Sequence, residues 1–234
     1  MIQELLDVSW SEAKNLANQY STDELGIEPQ KTYQHHPIKL PQIFTKDFPQ
    51  IYIDYLKKRN FEPKKVIQKY ALEACLNVSK YKYRIIAPIV LEGSTVNFTA
   101  RDITDKRPPK YLNMDNEEAG IPIKHCLYNL DTVKKQIIIF EGITSVWRFG
   151  EGTVATFGEM YSQEQVAILA YRGIKEAFIM YDGEKDAIRQ AYKLGNDLSA
   201  IIPHVAVLEL DTGDPADNFS DEEASDFKRR LFNG

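Results

Sequence analysis

Three acidic groups in this 234-residue chain directly follow apolar runs. Residues 137–140 (Ile-Ile-Ile-Phe) end in Glu141-Gly142, residues 178–181 (Phe-Ile-Met-Tyr) end in Asp182-Gly183-Glu184, and the run ending near Leu210 leads to Asp211, Asp214 and Asp217. If the runs are neighbouring strands of one open α/β sheet, these carboxylates meet beyond the strand ends, where such sheets bind ligands. Carboxylates brought together repel one another unless a cation lies among them. All-oxygen ligation suits Mg²⁺ or Mn²⁺, and Mg²⁺ commonly bridges one or two carboxylates to substrate phosphates. Each acid on its own also suits a helix N-cap, Asp182 for the helix that starts near Glu184 in particular.

The elements that must position these groups follow from the pattern. Residues 5–20 read as a helix with Trp10, Ala13, Leu16 and Ala17 at helical spacing, and residues 21–48, with three prolines, read as an extended connector. Helices follow over 48–59 and from Glu62-Pro63 through Tyr70, since proline fits the first helical turn. Residues 84–91 and 95–101 around Glu92-Gly93 form a hairpin, and 102–124 is polar and loop-like. From Lys135 strand and helix alternate: strands at 137–140, 153–157, 176–181 and 204–210, and helices at 143–149, from Ser162 to 171, 184–198 and 220–231. Such alternation means a mainly parallel sheet with helical crossovers. The expected fold is therefore an α+β N-terminal lobe, residues 1–130, followed by an α/β domain, residues 131–234. Trp147 and Tyr171 fall at core spacing and need no function.

Composition narrows the class. Hydrophobic residues make up 43% and charged residues 27%, enough for a full core. No apolar run approaches the ~20 residues that cross a bilayer, and the N-terminus lacks a secretory pattern, so no membrane partner and a cytoplasmic location are expected. Cys75 and Cys126 are too few for a disulfide framework or a four-cysteine zinc site, so no zinc is expected within the chain. The net charge of −5 hides a segregation: residues 51–110 carry 13 Lys/Arg against 6 Asp/Glu, and residues 181–234 carry 6 against 12. A basic stretch beside an acidic one suits a polyanion surface next to a cation site, or two solvated faces of opposite sign.

At Glu141-Gly142 and Asp182-Gly183-Glu184 the chain resembles the TOPRIM domain of bacterial-type primases and topoisomerases, with Glu184 in place of that family's second aspartate. Upstream segments narrow the resemblance to bacterial-type, phage-like DNA primases. Tyr55-Leu56-Lys57-Lys58-Arg59 is similar to their YLxxRG, Arg84-Ile85-Ile86-Ala87-Pro88-Ile89 to the R-hydrophobic-FPI strand, and Phe98-Thr99-Ala100-Arg101 to GFGGR. Pro109-Lys110-Tyr111-Leu112-Asn113 matches PKYLN, the segment from Lys124 to Leu130 is similar to KG-x-x-LYGL, Ala155–Gly158 to ASLG, and Gly213-Asp214-Pro215-Ala216-Asp217 to GxDPxD. One departure is Ser145, where the family carries an aspartate four residues after the glutamate.

The resemblance implies the RNA-polymerase core of a primase: a nucleotidyltransferase that joins NTPs into short RNA primers on a single-stranded DNA template. It implies Mg²⁺ or Mn²⁺ at Glu141, Asp182 and Glu184, the catalytic set, with Asp214 and Asp217 completing the metal site. Glu141 is also a candidate general base. Arg59, Arg84, Arg101, Lys110, Tyr111, Asn113 and Lys124 would bind nucleotide or DNA, the cations as phosphate contacts and Tyr111 by stacking. A replicative helicase and a zinc-binding module are expected on another segment or protein. Two other readings use the same residues: a single-stranded DNA-binding module without chemistry, and a TOPRIM nuclease.

Overall fold

A computed structural model describes residues 36–233. The helix expected over 5–20 and the first part of the connector lie outside the described residues. All the described residues fall in one compact unit.

The N-terminal half is a five-stranded antiparallel sheet in the order β1-β2-β3-β4-β5: Phe44–Thr45, Glu73–Cys75, Arg84–Leu91, Ser94–Asp102 and Tyr111–Asn113. Its centre is the expected hairpin, β3 and β4, turning at Glu92-Gly93, where both residues have positive φ. Helices α1, Gln50–Lys58, and α2, Pro63–Lys69, connect β1 to β2. Glu62 caps α2 through the Lys64 and Lys65 amides, with Pro63 at the first helical position. The polar stretch 102–124 is less irregular than its composition suggests, because Tyr111–Asn113 pairs with Thr99–Arg101 as the edge strand β5. A three-residue strand on a sheet edge has too little alternation to be read from sequence.

The C-terminal half is a four-stranded parallel sheet in the order β7-β6-β8-β9: β6 Gln136–Phe140, β7 Thr153–Ala155, β8 Glu176–Ile179 and β9 His204–Val207. Its helices are α3 Ile143–Phe149, α4 Gln163–Tyr171, α5 Lys185–Ser199, α6 Pro215–Asn218 and α7 Asp221–Asn233. The Ser162–Gln165 capping box starts α4. Strand β6 is buried on both faces, which is why its sequence is an unbroken apolar run. Ile138 and Phe140 join a core shared with Ile85 and Ala87 of β3, while Ile137 and Ile139 join a second core with Ala191 and Leu194 of α5. The expected division at 130/131 thus falls between two sheets that share side-chain packing. Trp147 is in the shared core as expected, but Tyr171, the last residue of α4, is 82% exposed, because its helical position faces solvent.

The ends of β6 and β8 are fixed by register. Ile139 pairs with Ile179, and the Met180 amide continues the ladder to the Ile139 carbonyl at 2.9 Å. Glu141 and Asp182 therefore leave adjacent strands within one residue of the same level. Gly183 lets the chain pass: its amide donates to the Gly213 carbonyl at 2.9 Å, and a Cβ there would lie 2.6 Å from Thr212 Cα. Replacing Gly183 by Ala should cost about 1–3 kcal/mol, as overpacking against backbone does. Gly142→Ala, at φ −111° with the nearest atoms 3.7 Å from the added carbon, should change stability by less than about 0.5 kcal/mol. Urea unfolding of the two variants checks this; equal stabilities would contradict the close approach.

Candidate functional site

Glu141 and Asp182 are half-buried, and neither carboxylate makes a side-chain hydrogen bond among the described residues. The helix cap suggested for Asp182 is not formed: Glu184 occupies the cap position of α5, without a side-chain cap bond. Burial raises Glu141 to about 7, with Glu159, Asp214 and Glu184 adding to the rise and Lys110 opposing it. Burial also raises Asp182, to about 8, helped by Asp214, Glu141 and Glu184 and again opposed by Lys110. The acids expected to converge do so electrostatically, and the neighbouring cation is one of the expected basic residues. Lys110 is exposed and precedes β5. Next to it, the Tyr111 hydroxyl lies 3.7 Å from where a Gly142 Cβ would stand, so the antiparallel sheet delivers both residues to the glutamate turn.

Asp214 and Asp217, expected as metal ligands, are both ion-paired with Arg59. Arg59 donates to Asp214 Oδ2 at 2.8 Å and to Asp217 Oδ1 at 2.8 and 3.0 Å. Asp214 Oδ1 also accepts from the Ser145 hydroxyl and the Ala216 amide, both at 2.9 Å, and Oδ2 accepts from Thr144 at 3.4 Å. Burial alone would raise Asp214, but Arg59, the Ala216 amide and Ser145 hold it below the ordinary carboxylate value. Ser145 is thus a donor to Asp214, where an aspartate would set one carboxylate against another.

The expected basic residues divide by burial. Arg84 is buried and donates to four carbonyls, those of Ala100, Arg107, Pro109 and Lys110, at 2.8–3.3 Å. Its task is to hold the 107–110 loop that presents Lys110, a correction to its expected phosphate contact. Lys124 Nζ donates to the carbonyls of Thr156 and Phe157, both at 3.4 Å, and of Met160. Burial lowers this ammonium while nearby Glu141 opposes the change. It latches a loop that bonds back to the site through Gly158 N–H to the Glu141 carbonyl at 3.0 Å. Asn113 accepts from the Thr99 hydroxyl at 2.7 Å. Arg59 is ion-paired, as above, and Arg101 is buried beneath Tyr111, its guanidinium 4.9 Å from the ring centroid.

Four contributors were not among the site residues read from the sequence, although Tyr55 opens the YLxxRG-like segment. Glu159, half-buried on the latched loop, has the largest charge effect on Glu141. The Tyr55 hydroxyl accepts from Arg101 Nε at 2.8 Å. Thr144 works with Ser145 on Asp214. Arg148 donates to the carbonyls of Arg59, Asn60 and Ala216 at 2.8–3.1 Å and pairs with Asp221, fixing the backbone on both sides of the Arg59–Asp214 pair. All of these contacts join residues far apart in sequence.

Among the described residues no three Asp, Glu, His or Cys side chains are grouped to hold a metal ion by themselves. The donors nevertheless fit a hard cation shared with a substrate: carboxylate oxygens only, without side-chain hydrogen bonds among the described residues, and raised first by burial and then by the neighbouring acids. Mg²⁺ bound with phosphates needs just one or two such carboxylates.

Residues 44–134 match the family model for the DNA primase catalytic core, N-terminal domain. Two solved structures share the fold. The Aquifex aeolicus primase, comprising zinc-binding and RNA polymerase domains, is 22% identical at a TM-score of 0.69, with 99% of this chain and 68% of that one covered. The RNA polymerase domain of Mycobacterium tuberculosis primase DnaG is 20% identical at a TM-score of 0.62, with 77% of this chain and 76% of that one covered. No curated protein matches the chain. The resemblance to bacterial-type DNA primases therefore holds, by sequence over residues 44–134 and by fold over the rest of the described chain.

The raised acids set a pH dependence. Between their ordinary values and 7–8 the folded protein holds protons that the unfolded chain has lost, so stability falls as pH rises through that window. The metal-free protein should melt at a lower temperature at pH 8 than at pH 6, and Asp182→Asn should remove most of the difference. Thermal unfolding across this range checks it; a midpoint that rises with pH would contradict the electrostatic account.

Proposed function

We propose that this chain is the catalytic core of a DNA primase, which joins NTPs into short RNA primers on a single-stranded DNA template. The observation that carries the reading is the side-by-side exit of Glu141 and Asp182 from parallel β6 and β8, faced by Lys110 and Tyr111 from the segment that matches the primase family. In this reading the parallel half, within residues 131–234, is a TOPRIM domain, and residues 1–130 belong to the N-terminal lobe of the primase core.

The reaction is attack of a 3′ hydroxyl on an α-phosphorus, with formation of a phosphodiester and loss of pyrophosphate. Such chemistry asks the protein mainly to position reactants and to balance charge. Glu141, Asp182 and Glu184 would hold Mg²⁺ or Mn²⁺, which when bound supplies positive charge to the reacting and leaving phosphate oxygens. Lys110 reaches the same place from the other sheet and can contact a phosphate as the cation's neighbour. Tyr111 and Asn113 share the short edge strand that approaches the glutamate turn, where a base or ribose would lie. Arg84 and Lys124 act one step back, holding the two loops that carry Lys110 and Glu159. The template and NTPs are the direct partners; a helicase and a zinc-binding module would act through another segment or protein, in the cytoplasm of a bacterial or phage-infected cell. Among the described residues no helix is long and apolar enough to cross a membrane.

The test is primer synthesis from labelled ribonucleotides on single-stranded DNA with Mg²⁺ or Mn²⁺. Asp182→Asn should reduce synthesis on the order of 100-fold or more, while its affinity for the strand stays within about twofold. Synthesis at the wild-type rate by that variant would contradict the assignment, and strand binding without synthesis by the wild type would favour the non-catalytic module.

A further inference from the structure

Among the described residues the edges of the two sheets are protected at every strand but one. β1 and β5 are only two and three residues long, and β7 is buried throughout, with Ala155 bridged by Tyr128. Shortness and cover are what keep an edge from pairing with another chain. β9, the outer strand of the parallel sheet, has neither. The His204 and Leu208 amides donate to the Lys175 and Ile179 carbonyls on the β8 side, at 3.1 and 2.8 Å. The backbone groups of Val205 and Val207 therefore point away from the sheet. Residues 204–208 include no acid, lysine, arginine or proline, and Ala206 is exposed in mid-strand. His204 and Ala206 border an open groove floored by Glu176 and Phe178. The two ends of this edge differ. At its start, exposed Lys175 lies level with Pro203, and Ile201 is 44% exposed. At its finish, exposed Glu209 accepts from the Tyr192 hydroxyl of α5 at 2.5 Å, and Tyr192 is 48% exposed. One end offers a cation and an aliphatic side chain, the other an anion and an aromatic ring.

We propose that β9 pairs antiparallel with β9 of a second copy of this chain, about a two-fold axis at Ala206, so that two four-stranded sheets become one. In that register Val205 and Val207 exchange backbone hydrogen bonds with Val207 and Val205 of the second copy. Ala206 meets its own counterpart at the non-hydrogen-bonded position, where Cα atoms approach to about 4.5 Å and a small side chain leaves room. Leu208 of the second copy stands opposite His204, beside the groove. Pro203 stands opposite Glu209 of the second copy, and Lys175 continues that row, so each lysine meets the other copy's glutamate on the α5 side of the sheet. Tyr192 is brought to Ile201 and Pro203 of the second copy in the same way. This exchange of unlike ends selects a second copy as the occupant, because a two-fold axis makes the patch complementary to itself in charge and in apolar contact. The paired strands run in opposite directions, so the carboxylate ends of the two sheets point away from each other and both sites stay open. The pairing is independent of the primase reading.

Sedimentation equilibrium of the full chain over a hundredfold range of concentration tests this. The apparent mass should rise with concentration from 26.9 kDa toward twice that value. Ala206→Lys, which sets two ammonium groups across the axis, should keep the mass of one chain throughout. Lys175→Glu and Glu209→Lys should each weaken association about tenfold, because the axis repeats every reversed pair. The double variant Lys175→Glu/Glu209→Lys should restore association, since the swapped charges again face each other between copies. Should Ala206→Lys not fold, the two charge reversals and their mutual rescue decide the matter alone. A wild type with the mass of one chain at every concentration would overturn the proposal. So would a dimer that persists in Ala206→Lys, which would place the contact on another face, or charge reversals that leave association unchanged or fail to rescue each other.

Discussion

Parallel pairing of β6 with β8 places two carboxylates where neither makes a side-chain hydrogen bond or ion pair among the described residues. Neighbouring strands in a sheet lie about 4.7–4.9 Å apart, and the chain runs from Ile139 to Glu141 on one and from Ile179 to Asp182 on the next. The pairing is enforced by packing, since alternate residues of β6 belong to two different cores and a one-residue slip would exchange them. The resulting repulsion is a standing cost that hydrophobic burial elsewhere offsets. The surrounding structure limits it without abolishing it: Lys110 comes from the other sheet, and Gly183 lets the Asp182 turn lie against the 212–213 backbone. What remains is a pair of carboxylates with no side-chain hydrogen bond among the described residues, where the proposed cation would sit.

The arginines and lysines around it divide into two kinds of work. Arg84, Arg148 and Lys124 spend their donors on backbone carbonyls and so shape loops that would otherwise have buried polar groups unsatisfied. Arg59 is held by two aspartates and by Ser145 through Asp214. Lys110 stays exposed beside the acids. The segregation of charge along the chain thus becomes an interlocked structure in space, with the acidic C-terminal segment holding one of the basic residues of the N-terminal half.

Sequence patterning carried the architecture because its signals are local. The apolar run of β6, the Glu92-Gly93 turn, the Ser162 cap and the proline at the start of α2 each report their own element, and each lies within one or two residues of its expected place. The acidic ends of β6 and β8 were legible for the same reason. The tasks of the basic residues were not, because exposure depends on what arrives from elsewhere in the chain. Arg84 sits at a strand start, the place expected of a phosphate contact, but the loop over 107–110 closes on it. Asp214 follows the expected pattern in sequence and is then taken up by a residue 155 positions away. Glu159 enters the site only because Lys124 latches its loop.

The central claim is that Glu141 and Asp182 jointly receive a divalent cation together with nucleotide phosphates. Anomalous X-ray diffraction from crystals of the protein grown with Mn²⁺ and ATP tests it most directly. The account predicts a manganese peak between the Glu141 and Asp182 carboxylates, bridged to phosphate oxygens and lost in Asp182→Asn. Nucleotide bound elsewhere, or manganese seated on Asp214 and Asp217 with Arg59 displaced, would contradict it.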